Sequence, residues 1–167
     1  MRREVREIVR KFDYPVKWVE EENLHLTLKF LGEVKEERVE EISRVLREIR
    51  RSEKRFELSL EDIGAFPSER SPRVIWIGVG KGREEIIRLQ ERIEEGLTPL
   101  GFKKEERGFH PHLTIARVKK RADFKELFDL SYKSRVFLVD SVTLFKSTLT
   151  PKGPIYEPLD RFPFSKP

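Results

Sequence analysis

A chain of 167 residues is about one domain's length and can bury roughly two thirds of its unfolded surface. Its lack of cysteine excludes disulfides, thiol catalysis and cysteine-ligated zinc, and no stretch approaches the ~20 apolar residues of a membrane span. The 35 basic residues exceed the 30 acidic ones by a formal +5, a mild bias toward an anionic partner, and a 39% charged content with both signs interleaved is of the kind enriched in heat-adapted proteins.

The first residues, "MRREVREIVRK", lack the apolar core of a secretory signal, so the expected location is the cytoplasm. Residues 4–12 place Val5, Ile8, Val9 and Phe12 at helical spacing and predict an amphipathic helix. A strand is predicted at 24–31, then a helix at 36–51 with Val39, Ile42, Val45, Leu46 and Ile49 on one face. Strands follow at 56–63 and 73–79, separated by the turn-rich "FPSERSPR". The next helix covers 83–97, with Ile86, Ile87, Leu89, Gln90, Ile93 and Leu97 on its inner face and "TPLG" ending it. A strand at 111–118, a short helix at 122–129, a strand at 135–147 and a turn at "TPKGP" complete the pattern.

The order strand, helix, strand, strand thus recurs, each half opening on a strand that begins His-Leu-Thr. "FELSLEDIGAF" and "VFLVDSVTLF" also rhyme, which indicates an internal duplication. The predicted fold is α+β, a single bilobal domain over 1–167 whose two lobes of antiparallel sheet with outer helices are related by a pseudo-twofold axis.

The repeated stretches are "HLTLKF" at 25–30 and "HLTIAR" at 112–117. The chain has three histidines and six threonines, yet two of the histidines have a threonine at +2. Side chains two apart on a strand share a face, so His25 with Thr27, and His112 with Thr114, each aim one way, with Leu26, Leu28, Leu113 and Ile115 behind them. Two imidazoles and two hydroxyls converging on one cleft suit a phosphodiester. A neutral imidazole takes a proton from an attacking oxygen while a charged one gives a proton to the departing oxygen, and an imidazole's ordinary pKa of ~6.5 permits both states near neutrality. Thr27, Thr114 and the fork of donors on Arg117 suit the non-bridging oxygens. Lys119, Lys120 and Arg121 extend a basic run beyond Arg117; on charge alone it reads equally well as a solvated strand end.

Blander readings stand beside this one. A lone histidine at a strand end is more often structural than catalytic. His110 and His112 form an H-x-H pair that would ligate a metal with His25, but Glu105 and Glu106 lie in a charged run that reads as loop, so no metal and no other cofactor is expected.

"HLTLKFLGEV" and "PHLTIAR", with "FPSERSPRVIWIGV" and "STLTPKGPIYEPLDRF", resemble the paired H-x-T motifs and flanks of the 2H phosphoesterase superfamily, in its RNA 2′,3′-cyclic phosphodiesterase branch, also called 2′-5′ RNA ligases. The resemblance implies a bilobal fold with a cleft between the lobes. It also implies metal-free attack of water on an RNA 2′,3′-cyclic phosphate end to leave a 2′-phosphate, with 2′-5′ ligation as a side activity. His112 is then the general base and His25 the general acid, a division the residues alone do not make. Thr27, Thr114 and Arg117 match the phosphate-gripping positions and Phe30 the base-contacting one, although Phe30 with Leu31 reads equally as core. Arg73, Trp76 and Tyr156 are further substrate-binding candidates, with packing the favoured role for Trp76. Family members usually open with a short strand resembling "R-x-F-I-A-I"; here the chain enters a helix at once, and an edge left unpaired would invite a second chain. Two rival functions are a small-molecule cyclic nucleotide phosphodiesterase, which would prefer mononucleotides to oligonucleotides, and a non-catalytic RNA-binding module, which would bind without turnover.

Overall fold

Short apolar–polar alternations and 3.6-residue periodicities sort the chain into four α-helices and eight strands among the residues described by the computed structural model, 2–166, with Val9 described in its backbone alone. In order they are α1 (Arg2–Val9), β1 (Val16–Trp18), α2 (Val39–Ser52), β2 (Phe56–Leu58), β3 (Leu60–Phe66), β4 (Val74–Val79), α3 (Arg83–Leu97), β5 (His112–Val118), α4 (Lys125–Phe128), β6 (Phe137–Val139), β7 (Ser141–Thr150) and β8 (Gly153–Pro163). Among the described residues no helix is long and apolar enough to cross a membrane.

The chain divides into two compact units, and the sequence halves do not map onto them. The first unit takes the N-terminal segment through Thr27, Glu57–Arg83 and His110–Phe137; the second takes Leu28–Phe56, Glu84–Phe109 and the segment from Leu138 onward. Both His-Leu-Thr motifs therefore fall in the first unit, rather than one in each.

The first unit is built on an antiparallel sheet of order β1-β5-β4-β3. Ile75, Ile77, Leu113, Ile115 and Ala116 are wholly buried on one of its faces. Neither margin of this sheet is a long open run. β1 has three residues, and β3 is covered by the 132–134 segment: Ser134 exchanges hydrogen bonds with Leu60, and Asp62 N–H donates to the Tyr132 carbonyl at a bulge. A bulge and a covering loop are ordinary devices against edge pairing.

The second unit packs α2 and α3 with the β7–β8 hairpin. Ile42, Leu46 and Ile49 of α2 recur at one-turn and two-turn spacing and meet Leu89, Ile93 and Leu97 of α3, with Leu144, Phe162 and Phe164 closing the cluster. Inside this core lies a polar group. Lys29 Nζ pairs with Glu94 at 2.6 Å, with the two side chains only 5% and 7% exposed; it also donates to the Lys103 carbonyl at 2.8 Å, while Gln90 donates to the other oxygen of Glu94 at 3.0 Å.

Several predicted elements change form. The 24–31 strand reduces to one antiparallel bridge, Leu26 to Leu113. The 56–63 strand divides into β2 and β3 where Ser59 N–H turns to the Lys81 carbonyl, and the 135–147 strand divides into β6 and β7 at Asp140. The helix at 36–51 starts as a 3₁₀ turn at Glu36–Arg38, the one at 4–12 ends at Val9, and the one at 122–129 shortens to Lys125–Phe128. β1 and β8 have no counterpart in the predicted set.

Candidate active site

The two motifs meet through the Leu26–Leu113 bridge. Because it is antiparallel, its register sets His25 opposite Thr114 and Thr27 opposite His112, all four half-buried and on the face away from the buried Leu113. Directly opposed residues in such a pair lie about 4.5–5.5 Å apart at Cβ and diagonal ones, here the two histidines, about 7–8 Å. The internal repeat thus becomes a square with imidazoles at one pair of corners and hydroxyls at the other.

Both rings are held in the same way. His25 Nδ1–H donates to the Asn23 carbonyl at 2.5 Å and His112 Nδ1–H to the His110 carbonyl at 2.7 Å, each two residues upstream. A carbonyl only accepts, so Nδ1 carries the proton and Nε2 is the nitrogen that exchanges one. A neutral ring in this pose is a base at Nε2, and a charged ring is an acid there.

Arg117 reaches the same face by a device that alternation does not reveal. An unbroken strand would send Arg117 to the side of Leu113 and Ile115. The β4–β5 register slips between Ile75 and Trp76, so that Ile75 faces Ala116 but Trp76 faces Thr114, leaving Ile115 as an extra residue. Ile115 and Ala116 are then both buried and Arg117 emerges, exposed, on the side of His112 and Thr114. Bulges commonly re-aim a side chain in this way.

Behind His112 stands an aromatic wall. Trp76, opposite Thr114, has its ring centroid 6.2 Å from that of His112, and Phe66 meets His112 edge-on at 5.0 Å; His110 completes the group at 4.8 Å from Trp76. The indole fits because Gly64 lies opposite it in β3, where a Cβ would come within 2.5 Å of the ring. Gly64→Ala is expected to displace Trp76 and tilt His112, lowering kcat more than it raises KM; unchanged kinetics together with an unchanged melting temperature would show the wall to be dispensable. Trp76 Nε1 and His110 Nδ1 are buried without a hydrogen-bond partner, so both rings serve as packing surface. Burial first, then the Arg83 guanidinium and then His112, hold His110 below the usual histidine range, which keeps it neutral beside His112.

The remaining candidates are placed as follows. Arg73 is exposed immediately before β4, its backbone bonded to Phe66 and Val118. Phe30 lies in the second unit and is 76% exposed, so it does not fill core, whereas Leu31 packs against the α2–α3 cluster. Tyr156 is on β8 of that unit, half-buried and edge-on to Phe145 at 6.2 Å. Among the described residues no three His, Asp or Glu side chains gather as a metal-holding group. Phe66 and the Asn23 and His110 carbonyls escaped the sequence reading; a backbone carbonyl is supplied by every residue type and leaves no signal in the sequence.

The chain is 40% identical over 162 residues to the RNA 2′,3′-cyclic phosphodiesterase of Aeropyrum pernix, covering 93% of this chain and 90% of that protein. It is 45% identical over 152 residues to the protein of that name from Archaeoglobus fulgidus, covering 88% and 83%. The crystal structure of TT0787 of Thermus thermophilus superposes with a TM-score of 0.82 at 31% identity, over 98% of this chain and 91% of that one. A family model spans residues 1–150, and with it the square of histidines and threonines acquires its context: the chain belongs to the 2′-5′ RNA ligase superfamily.

Proposed function

We infer that this chain hydrolyses the 2′,3′-cyclic phosphate ends of RNA to 2′-phosphates by paired-histidine acid–base catalysis. The observation that carries this reading is the Leu26–Leu113 bridge, since its register sets two like-held imidazoles and two hydroxyls on one face. The names of the relatives support the substrate, and RNA follows from the chemistry, because only a 2′-OH closes the cyclic ester.

Water attacks phosphorus and its proton passes to Nε2 of His112. The P–O3′ bond breaks, and O3′ takes the Nε2 proton of His25, leaving a 3′-hydroxyl and a 2′-phosphate. Thr27, Thr114 and Arg117 donate to the non-bridging oxygens, where charge builds. The division of roles between the histidines follows the family resemblance. A 5′-hydroxyl in the place of water gives a 2′-5′ linkage through the same proton transfers. The base-contacting role of Phe30 follows the family resemblance alone; its ring is exposed, as stacking on a base requires.

The test is an RNA oligomer with a cyclic end, its product identified by position. A 2′-phosphate is expected, at a rate that EDTA leaves unchanged and that rises and then falls with pH, since one ring must be neutral and the other charged. A 3′-phosphate product would overturn the assignment of the leaving oxygen, and inhibition by EDTA would overturn metal independence.

A further inference from the structure

Each imidazole of the square leans on one backbone carbonyl, and the chain secures the two carbonyls differently. Asn23 ends a 3₁₀ turn, Glu21–Asn23, in which its amide donates to the Glu20 carbonyl at 2.9 Å, and the buried Leu24 follows. The His110 carbonyl has no such turn behind it. Among the described residues the amides of 103–110 donate to no backbone carbonyl, so main-chain bonds leave the place of that oxygen open. Two side chains close it. Pro111 is buried, and a proline restricts the residue before it to extended backbone. The His110 ring is seated in the aromatic wall, edge-on to Phe66 at 5.7 Å and tilted against Trp76 at 4.8 Å, with the His112 ring 6.2 Å away.

Ring centroids about 4.5–7 Å apart in edge-on or tilted poses are the arrangement in which aromatic pairs attract. The seat keeps His110 Nδ1 buried without a partner, a costly state for a polar atom. Burial first, and the Arg83 guanidinium next, keep the ring uncharged, so it adds no positive charge beside a histidine that must itself accept a proton. Which nitrogen of a neutral imidazole carries the proton is set by the bond the other one makes. We propose that His110 is a positioning residue for His112: its ring, held by Phe66 and Trp76, fixes the carbonyl that keeps a proton on His112 Nδ1 and leaves Nε2 to take one from the attacking water. The use of that tautomer rests on the proposed function, whereas the tautomer itself is a property of the folded chain. Gly64, by admitting the indole, stands behind the same clamp. His25, served by the turn at Asn23, does not depend on it.

Because the chain has three histidines, nitrogen NMR of histidine-labelled protein resolves every ring, each assigned by its own substitution. At a pH where the rings are neutral, wild type is expected to show the Nδ1–H form at His25 and His112. His110→Ala should move His112 toward the Nε2–H form that a neutral imidazole prefers in water and leave His25 as it was. It should also lower kcat on an RNA oligomer with a cyclic end about tenfold or more with KM little changed, since a small misplacement of a reacting group is this costly. His110→Phe restores a flat ring without its nitrogens and should recover the Nδ1–H form and much of the lost kcat. The clamp is overturned if His112 keeps Nδ1–H in the alanine variant, if His25 shifts along with it, or if the phenylalanine variant recovers neither quantity. Should the alanine variant fail to fold, His110→Gln, which keeps bulk but no ring, takes its place in the same comparison. If wild type turns over no RNA end, the reading of the catalytic face fails instead, and the tautomer of His112 alone decides the clamp.

Discussion

Alanine at His25 or at His112 is expected to lower hydrolysis of a cyclic-phosphate RNA end by ~10²–10⁴-fold each, the range for loss of one positioned proton donor or acceptor. The two losses are not expected to add, because each proton transfer is useful only while the other occurs; the double variant should fall little below the worse single one. Neither substitution opens the core. Both rings are half-buried, on the face opposite Leu113, so circular dichroism and melting should stay near wild type. Single-turnover rates of the folded variants make the measurement. A variant that keeps the wild-type rate removes its histidine from the chemistry, and rate loss accompanied by unfolding is resolved by His→Gln, which keeps a polar side chain of similar reach.

The largest stability effect is expected at Lys29. Its ammonium is nearly sealed against Glu94, so Lys29→Met leaves a carboxylate charged at 7% exposure with one remaining donor, Gln90. Breaking a buried pair from one side costs about 3–5 kcal/mol, whereas neutralising both partners is often close to neutral. For a chain of this size each kcal/mol moves the melting temperature by roughly 2–4 °C, so a fall on the order of 6–20 °C is expected. The double variant Lys29→Met/Glu94→Gln keeps an acceptor for Gln90 and should recover most of it. A thermal-melt double-mutant cycle reads the coupling; if the double variant melts as low as the single, the cost lies in lost packing and not in the stranded charge.

Elements whose partners lie within their own period were legible. The α3 helix has its predicted bounds because Leu89, Ile93 and Leu97 all face one cluster and Ile86 is buried as well, and β4 and β5 each lie within one residue of prediction. The 24–31 segment misled because its alternation answers to two bodies. Leu26 bridges to Leu113 while Leu28 joins the α2–α3 cluster, so apolar residues alternate without a ladder of strand hydrogen bonds. β8 was hidden by Pro154, Pro158 and Pro163, which argue against a central strand; in a two-stranded hairpin every strand has an open side on which proline is tolerated. At the site, the +2 spacing of histidine and threonine foretold their shared face. Arg117 was not accessible to that rule, since only a bulge gives it the parity of His112, and nothing in the sequence marks Glu94 as buried, because its partner Lys29 stands far back in the chain.

The threading of the chain has a consequence for how the protein is made. Each unit draws on three separated segments, and β1 finds β5 only after Val118 has been added. At about 5–20 residues per second, β1 leaves the ribosome several seconds before its neighbour exists, and the His25 segment waits as long for its bridge to Leu113. No contiguous fragment carries a whole unit, so a ribosome stalled early displays an unfinished sheet rather than a folded half, and assembly of the histidine–threonine square is deferred until synthesis is well advanced.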